Sequence, residues 1–189
     1  MQSASNMSMP EPGWNVVATV YDREFRDAKA RLSRFGDVRA SVYRNVLLMK
    51  VADIGGFLEG LERSLGEDAS LANAVSRVVP VTHGFRFTTP EEFESKAGDI
   101  MSEWLPELGG KKFHVRMHCR GFKGKLSSER EEQFLGRLVL ERLQEAGMPA
   151  AVDFDDPDVV IAVETVGQEA GISRWTRQQL REHELLKLD

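Results

Sequence analysis

Lys111-Lys112-Phe113-His114-Val115-Arg116-Met117-His118-Cys119-Arg120-Gly121-Phe122-Lys123-Gly124-Lys125 is the stretch from which the chain is best read. From Phe113 the odd positions are apolar and the even positions His114, Arg116, His118 and Arg120 are polar, the period of two expected of a half-buried strand. One face is expected to pack and the other to meet phosphates. Residues 111 to 130 hold seven Lys/Arg against the single Glu129, although the whole chain has a formal net charge of -5. Guanidinium forks bind phosphate in pairs of hydrogen bonds and lysines act as point charges, so Arg116, Arg120, Lys123 and Lys125 form a candidate phosphate-binding set. Gly121 and Gly124 let the loop backbone approach a ligand closely.

On either side of this strand the spacing predicts helices. Thr89-Pro90-Glu91-Glu92 has the cap, first-turn proline and Glu of a capping box, and Phe93, Ala97, Ile100, Met101, Trp104 and Leu105 continue it as one stripe. Ser128 to Glu131 repeats the box spacing ahead of Phe134, Leu135, Leu138, Val139 and Leu143. Val152 to Glu164 reads as an acidic turn feeding a strand buried on both faces, and another strand runs from about Glu169 through Trp175. Gln178 to Glu184 reads as a surface ending or a short helix.

The first half has a different rhythm. Trp14 to Val20 and Val75 to Val81 read as the first and final strands, and Asp37 to Tyr43 and Asn45 to Val51 as a hairpin with a tight turn at Arg44-Asn45. Helices are expected over Glu24 to Phe35, stopped by Gly36, and from an Asp53 N-cap to Gly66. This β-α-β-β-α-β order is that of a ferredoxin-like domain, with Pro80 at a strand end or edge. The expected fold class is thus α/β (α+β), with a tail over residues 1–13, a ferredoxin-like domain over 14–82 and a second α/β domain over 83–189.

The remaining features narrow the chemistry. The 189 residues, 41% of them hydrophobic, suffice for a sizeable core. One cysteine, Cys119, excludes an internal disulfide and a cysteine-based zinc finger, and a reducing cytoplasm is the expected compartment. No apolar run nears the roughly 20 residues of a membrane span, and the N-terminus lacks the order of a secretory signal. His114 and His118 would lie about 13 Å apart along a strand, too far to share a metal. Asp153, Asp155, Asp156 and Asp158 lack the glycine and distal Glu of a calcium loop and read as an Asx turn around Pro157. No dinucleotide, Walker or zinc-protease motif is present. Trp104 falls on a core stripe, whereas Trp175, flanked by Arg174 and Arg177, is the surface candidate.

Residues 83 to 181 resemble the THUMP domain, an RNA-binding module of thiouridine synthases, tRNA methyltransferases, pseudouridine synthases and accessory proteins of tRNA acetylation. The likeness rests on the capped helix from Thr89 to Leu105, KKFHVRMHCRG, LSSEREEQFLGRLV, and VDFDDPDVVIAVETVG followed by EAGISRW. The first half resembles the small ferredoxin-like domain that accompanies THUMP domains, and the nearest likeness is to stand-alone acetylation adaptors. The resemblance implies a module that grips the acceptor end of tRNA while a separate RNA-modification enzyme, such as an RNA cytidine acetyltransferase, does the chemistry. Because the chain ends at Asp189 without a catalytic domain, the expectation is a non-catalytic protein with no cofactor, no metal and no membrane contact. The RNA contacts it implies are Lys112, His114, Arg116, His118, Arg120, Lys123 and Lys125, joined by Arg174 and Arg177. Two rivals stand beside it: a protein-interaction scaffold using the acidic C-terminal face, and a small-ligand regulatory domain, since the fold alone does not choose.

Overall fold

The computed structural model describes residues 11–189. Most of the tail expected over residues 1–13 lies outside the described residues. The first half comprises β1 (Val16–Val20), α1 (Phe25–Leu32), β2 (Asp37–Ala40), β3 (Val46–Lys50), α2 (Ile54–Glu67), a single turn α3 (Leu71–Ala74) and β4 (Val75–Pro80). Its strands form an antiparallel sheet in the order β2-β3-β1-β4, the ferredoxin-like arrangement expected. Ala28 and Leu32 of α1 and Phe57, Leu58, Leu61 and Leu65 of α2 bury one face against Val16, Ala18, Leu47 and Met49. Asp53 caps α2 by accepting from the Gly56 N–H at 2.6 Å. Pro80 ends β4, where its missing N–H costs no ladder bond.

The hairpin departs from expectation. β2 stops at Ala40 and β3 begins at Val46, so the connection is a loop of residues 41–45 rather than a tight turn at Arg44-Asn45. The Tyr43 N–H donates to Ser41 Oγ at 2.9 Å, and Asn45 takes φ 60°, the left-handed region an asparagine tolerates.

The second half adds β5 (His83–Arg86), α4 (Pro90–Ser102), a short turn α5 (Leu105–Leu108), β6 (Lys112–Arg120), α6 (Ser128–Glu145), β7 (Ala151–Val152), β8 (Val159–Val166), β9 (Glu169–Thr176) and α7 (Arg177–Glu182). The sheet order is β5-β9-β8-β6-β7, with β6 parallel to both β7 and β8. A parallel pair needs a crossover, and α6 supplies it. Phe113, Val115 and Met117 pack beneath α4 and α6 on Phe93, Met101, Leu135 and Val139, the odd-numbered face the alternation predicts. β8 is buried from Val159 to Thr165, as its unbroken apolar run implies.

The two boxes turn out differently. Thr89 Oγ1 accepts from the Glu92 N–H at 3.1 Å, while the Glu92 carboxylate reaches back one residue further, to the Thr88 N–H at 2.8 Å. At α6 the expected box over Ser128 to Glu131 is not formed. The N-cap is Ser127, without a side-chain bond, and the polar groups of the first turn face β6 instead. Ser128 Oγ accepts from the Cys119 N–H at 3.3 Å, and Glu132 Oε1 from the Met117 N–H at 2.7 Å. β6 therefore outcompetes the helix for these acceptors.

The face of the second sheet that carries Val160, Ala162 and Trp175 lies against the first half. Val160, Ala162 and Trp175 share one hydrophobic cluster with Val16, Leu58 and Val78, bridged by Leu185, Leu186 and Leu188. This strap, residues 185–189, follows α7, and Leu185 O accepts from the Val78 N–H at 2.7 Å, so it lies along β4. Trp175 is thus not at the surface. Its side chain is 4% exposed and its Nε1–H donates to Ser173 Oγ at 2.8 Å, which itself donates to Pro80 O at 2.8 Å. Trp14 Nε1–H completes the junction by donating to Glu169 Oε2 at 2.7 Å.

Candidate nucleic-acid interface

The polar face of β6 is not the open surface that the alternation suggested. β6 pairs along its whole length with β8, and its even side chains point into the junction between the halves. His114 is buried, its ring stacked on Phe154 at 5.2 Å and its Nδ1 3.0 Å from Asp153 O. Further along, His118 Nδ1 sits 2.9 Å from Glu164 Oε1 and Nε2 2.7 Å from Arg77 Nη1. Arginine can only donate, so for the neutral ring this geometry assigns the proton to Nδ1. Arg120 closes on Glu164 Oε2. Glu164 is fully buried, and a buried carboxylate persists only with such partners. Burial also pushes the Arg77 guanidinium below its usual range. Arg116, at the outer margin, has Nη2 3.3 Å from Asp189 Oδ1. These four residues thus face the junction, because the alternation locates a face without saying what covers it.

Three other predicted contacts fasten loops. Lys112 Nζ is 2.9 Å from Asp153 Oδ2. Asp153 also accepts from the Asp155 and Asp156 N–H groups at 3.0 and 2.9 Å, forming the Asx turn expected there. The Asp156 N–H, the Lys112 ammonium and the Asp155 N–H hold its carboxyl down at about 2. Arg177 binds the far side of the same turn, with Nη2 3.0 Å from Asp156 Oδ1 and 3.2 Å from Asp158 Oδ1. Arg174 pairs with Glu107 and lies 5.7 Å above the Trp104 ring.

Lys123 and Lys125 are the exception. Both are exposed, and among the described residues neither has an acidic partner. Their loop is shaped by Gly121 at φ 89°, Phe122 at φ 52° and Gly124 at φ 77°, with Lys125 Nζ 5.1 Å from the Phe122 ring centre. Gly121 is required for a second reason: a Cβ there would lie 2.1 Å from the Tyr43 hydroxyl. Tyr43 belongs to the β2–β3 loop, so the loop tips of the two halves meet. Beside it, exposed Arg44 has Nε 2.9 Å from Asp22 Oδ1 and holds that carboxyl below its ordinary value. Tyr21, 49% exposed, follows Val20, whose N–H donates to Asn45 O at 2.9 Å. The lysine loop, with Phe122, and the β2–β3 loop, with Tyr43 and Arg44, thus meet at Gly121 as a knuckle across the junction. Tyr43 carries no sequence signal that places it here, since only the tertiary fold brings it beside Gly121.

The fold and this knuckle define a two-part α/β protein with a basic, aromatic projection where its halves meet. Residues 87–174 match the THUMP domain family, and the chain carries a THUMP domain. Among solved structures it is similar to PH1313 from Pyrococcus horikoshii, with 14% identity over 85% of this chain and 54% of that one and a TM-score of 0.57. It is also similar to TrmN from Thermus thermophilus, with 22% identity, coverage of 86% and 45%, and a TM-score of 0.55. For a possible methylase from Clostridium difficile the values are 12%, 85% and 40%, and 0.52. The chain therefore spans about half the length of these proteins or less, and what it shares with them is the fold. No curated protein matches the sequence.

Proposed function

We propose that this chain binds tRNA and presents it to a separate RNA-modification enzyme. The observation that carries the reading is the pair of exposed ammonium groups, Lys123 and Lys125, without an acidic partner among the described residues, on a glycine-shaped loop inside the region that matches the THUMP domain. Such a loop contacts phosphates at little cost in desolvation or lost ion pairs. The non-catalytic part of the reading is supported by His118 and Glu164. These are groups suited to proton transfer, yet both are turned into the junction, Glu164 onto Arg120 and His118 onto Arg77. The acceptor end of tRNA as the bound segment, and acetylation as the chemistry served, follow the THUMP resemblance.

The test is fluorescence anisotropy with intact tRNA, tRNA lacking its 3′ end and duplex DNA across a salt series. Lys123→Glu with Lys125→Glu is expected to weaken tRNA binding by about tenfold or more at low salt. Replacement of the two phosphate contacts should reduce the slope of log affinity against log salt by about two. Unchanged affinity in the double variant would remove the knuckle from the interface. Equal binding of tRNA with and without its 3′ end would remove the acceptor-end assignment.

A further inference from the structure

Helix α1 and its flanks carry a second concentration of positive charge, in the first half of the chain. Residues 23–39 hold Arg23, Arg26, Lys29, Arg31, Arg34 and Arg39 against Glu24, Asp27 and Asp37, within a chain of formal net charge -5. α1 packs through Ala28 and Leu32, which turns Arg26, Lys29, Ala30 and Ser33 outward, and all four are exposed. Arg31 takes up the nearby acids: its Nε lies 2.7 Å from Asp27 Oδ2 and its Nη1 2.9 Å from Asp68 Oδ2. Glu24 and Asp37 lie toward the two ends of the segment. Arg23, Arg26, Lys29, Arg34 and Arg39 are exposed and have no ion-pair partner among the described residues. The small side chains of Ala30 and Ser33 leave the helix surface open between the long cations. The start of α1 also adjoins the knuckle. Asp22, one residue before Arg23, accepts from Arg44 Nε at 2.9 Å, and Arg44 follows Tyr43, whose hydroxyl lies against Gly121.

We infer that the outer face of α1, with Arg23, Arg26, Lys29 and Arg34, is a track for the phosphates of an RNA stem, continuous with the knuckle. The inference rests on the tRNA-binding reading and deepens it: the knuckle takes the end of the RNA, and the first half grips the paired region beside it. α1 is about 12 Å long at about 1.5 Å per residue, so cations along it and at its two ends meet successive phosphates of one strand. Guanidinium and ammonium groups without a protein carboxylate give up no ion pair when phosphate arrives, and each neutralised phosphate releases counterions. Phe25, the one ring between Arg23 and Arg34, packs against the core. The face therefore offers unpaired bases nothing to stack on, whereas a stem is gripped through its backbone and shape. It also presents no large apolar side chain to enter a bilayer, which favours RNA over an anionic lipid surface.

The experiment is fluorescence anisotropy across a salt series with two RNAs, a hairpin bearing an unpaired 3′ overhang and the overhang strand alone. The proteins are the parent, Arg26→Gln with Lys29→Gln, and Lys123→Glu with Lys125→Glu. Both α1 substitutions fall at exposed helix positions, which the fold tolerates, and circular dichroism checks that it is kept. The α1 variant is expected to bind the hairpin roughly three- to tenfold more weakly at low salt, with the slope of log affinity against log salt reduced by about two. Its affinity for the overhang strand should be unchanged. Unchanged hairpin affinity overturns the inference, and so does an equal loss for both RNAs, which would mark an unselective positive field. Hairpin binding that fails in the lysine variant but not in the α1 variant leaves the tRNA reading standing without this track. Loss in the α1 variant alone keeps the track and removes the knuckle, and a parent that binds neither RNA removes both. Phosphatidylserine vesicles supply the remaining arm. Vesicle binding that depends on Arg26 and Lys29, with hairpin affinity unchanged, gives the face to a membrane surface and overturns the RNA assignment.

Discussion

Glu131 shows how far a residue's role can lie from its sequence signature. Its position suggested a capping-box glutamate, but its side chain is fully buried between α6 and α4, with Oε2 lacking a donor among the described residues. Burial, followed by the nearby Glu94 carboxyl, raises it to about 7, and Arg130 offsets this only in part. The folded state therefore keeps a proton that the unfolded chain releases near its ordinary value of 4.5. Stability is highest below that value, falls as the pH rises toward about 7, and has lost on the order of 3 kcal/mol from this group once above it. Glu131→Gln, which carries the hydrogen permanently, should flatten that part of the curve when urea midpoints are measured from pH 4 to 8. Gly121 makes the complementary case. Its positive φ and the Tyr43 hydroxyl both exclude a side chain, so Gly121→Ala should destabilise by more than about 1 kcal/mol in the same assay. The sequence marks Gly121 as a loop glycine, but the tyrosine that makes it obligatory lies in the other half.

At the level of elements, period and role separate. The alternation in β6 was legible because a strand's side chains must point to opposite faces, and Phe113, Val115 and Met117 pack as that rule demands. What covers the opposite face was not legible, because it is built from Arg77, Glu164 and a strap, residues 185–189, that follows the segment read as a surface ending or a short helix. Three leucines within four positions lack the length for a strand or helix signal, yet they are buried between the halves. Leu186→Ala should therefore cost about 2–5 kcal/mol, the usual range for a large-to-small change in a core, seen as a lower urea midpoint. Lys187, exposed between them, should tolerate alanine within about 0.5 kcal/mol.

For the whole molecule, the order of strands and helices was readable in both halves, whereas the way the halves join was not. That union rests on contacts such as Trp14 with Glu169, Tyr43 with Gly121 and Val78 with Leu185, each separated by many residues and none marked by a motif. A shared hydrophobic cluster predicts one cooperative transition, so far-ultraviolet circular dichroism and tryptophan fluorescence should give coincident urea curves for the full chain. Two resolved transitions would show that the junction is weaker than its burial implies. The strap also has a consequence for synthesis. β4 is complete at Pro80, but the residues that line its side arrive about a hundred positions later, which at about 5–20 residues per second is an interval of about 5–20 s. Throughout that time the emerging chain displays an unfinished strand edge beside exposed valines, which makes the nascent N-terminal half a natural client for ribosome-associated chaperones.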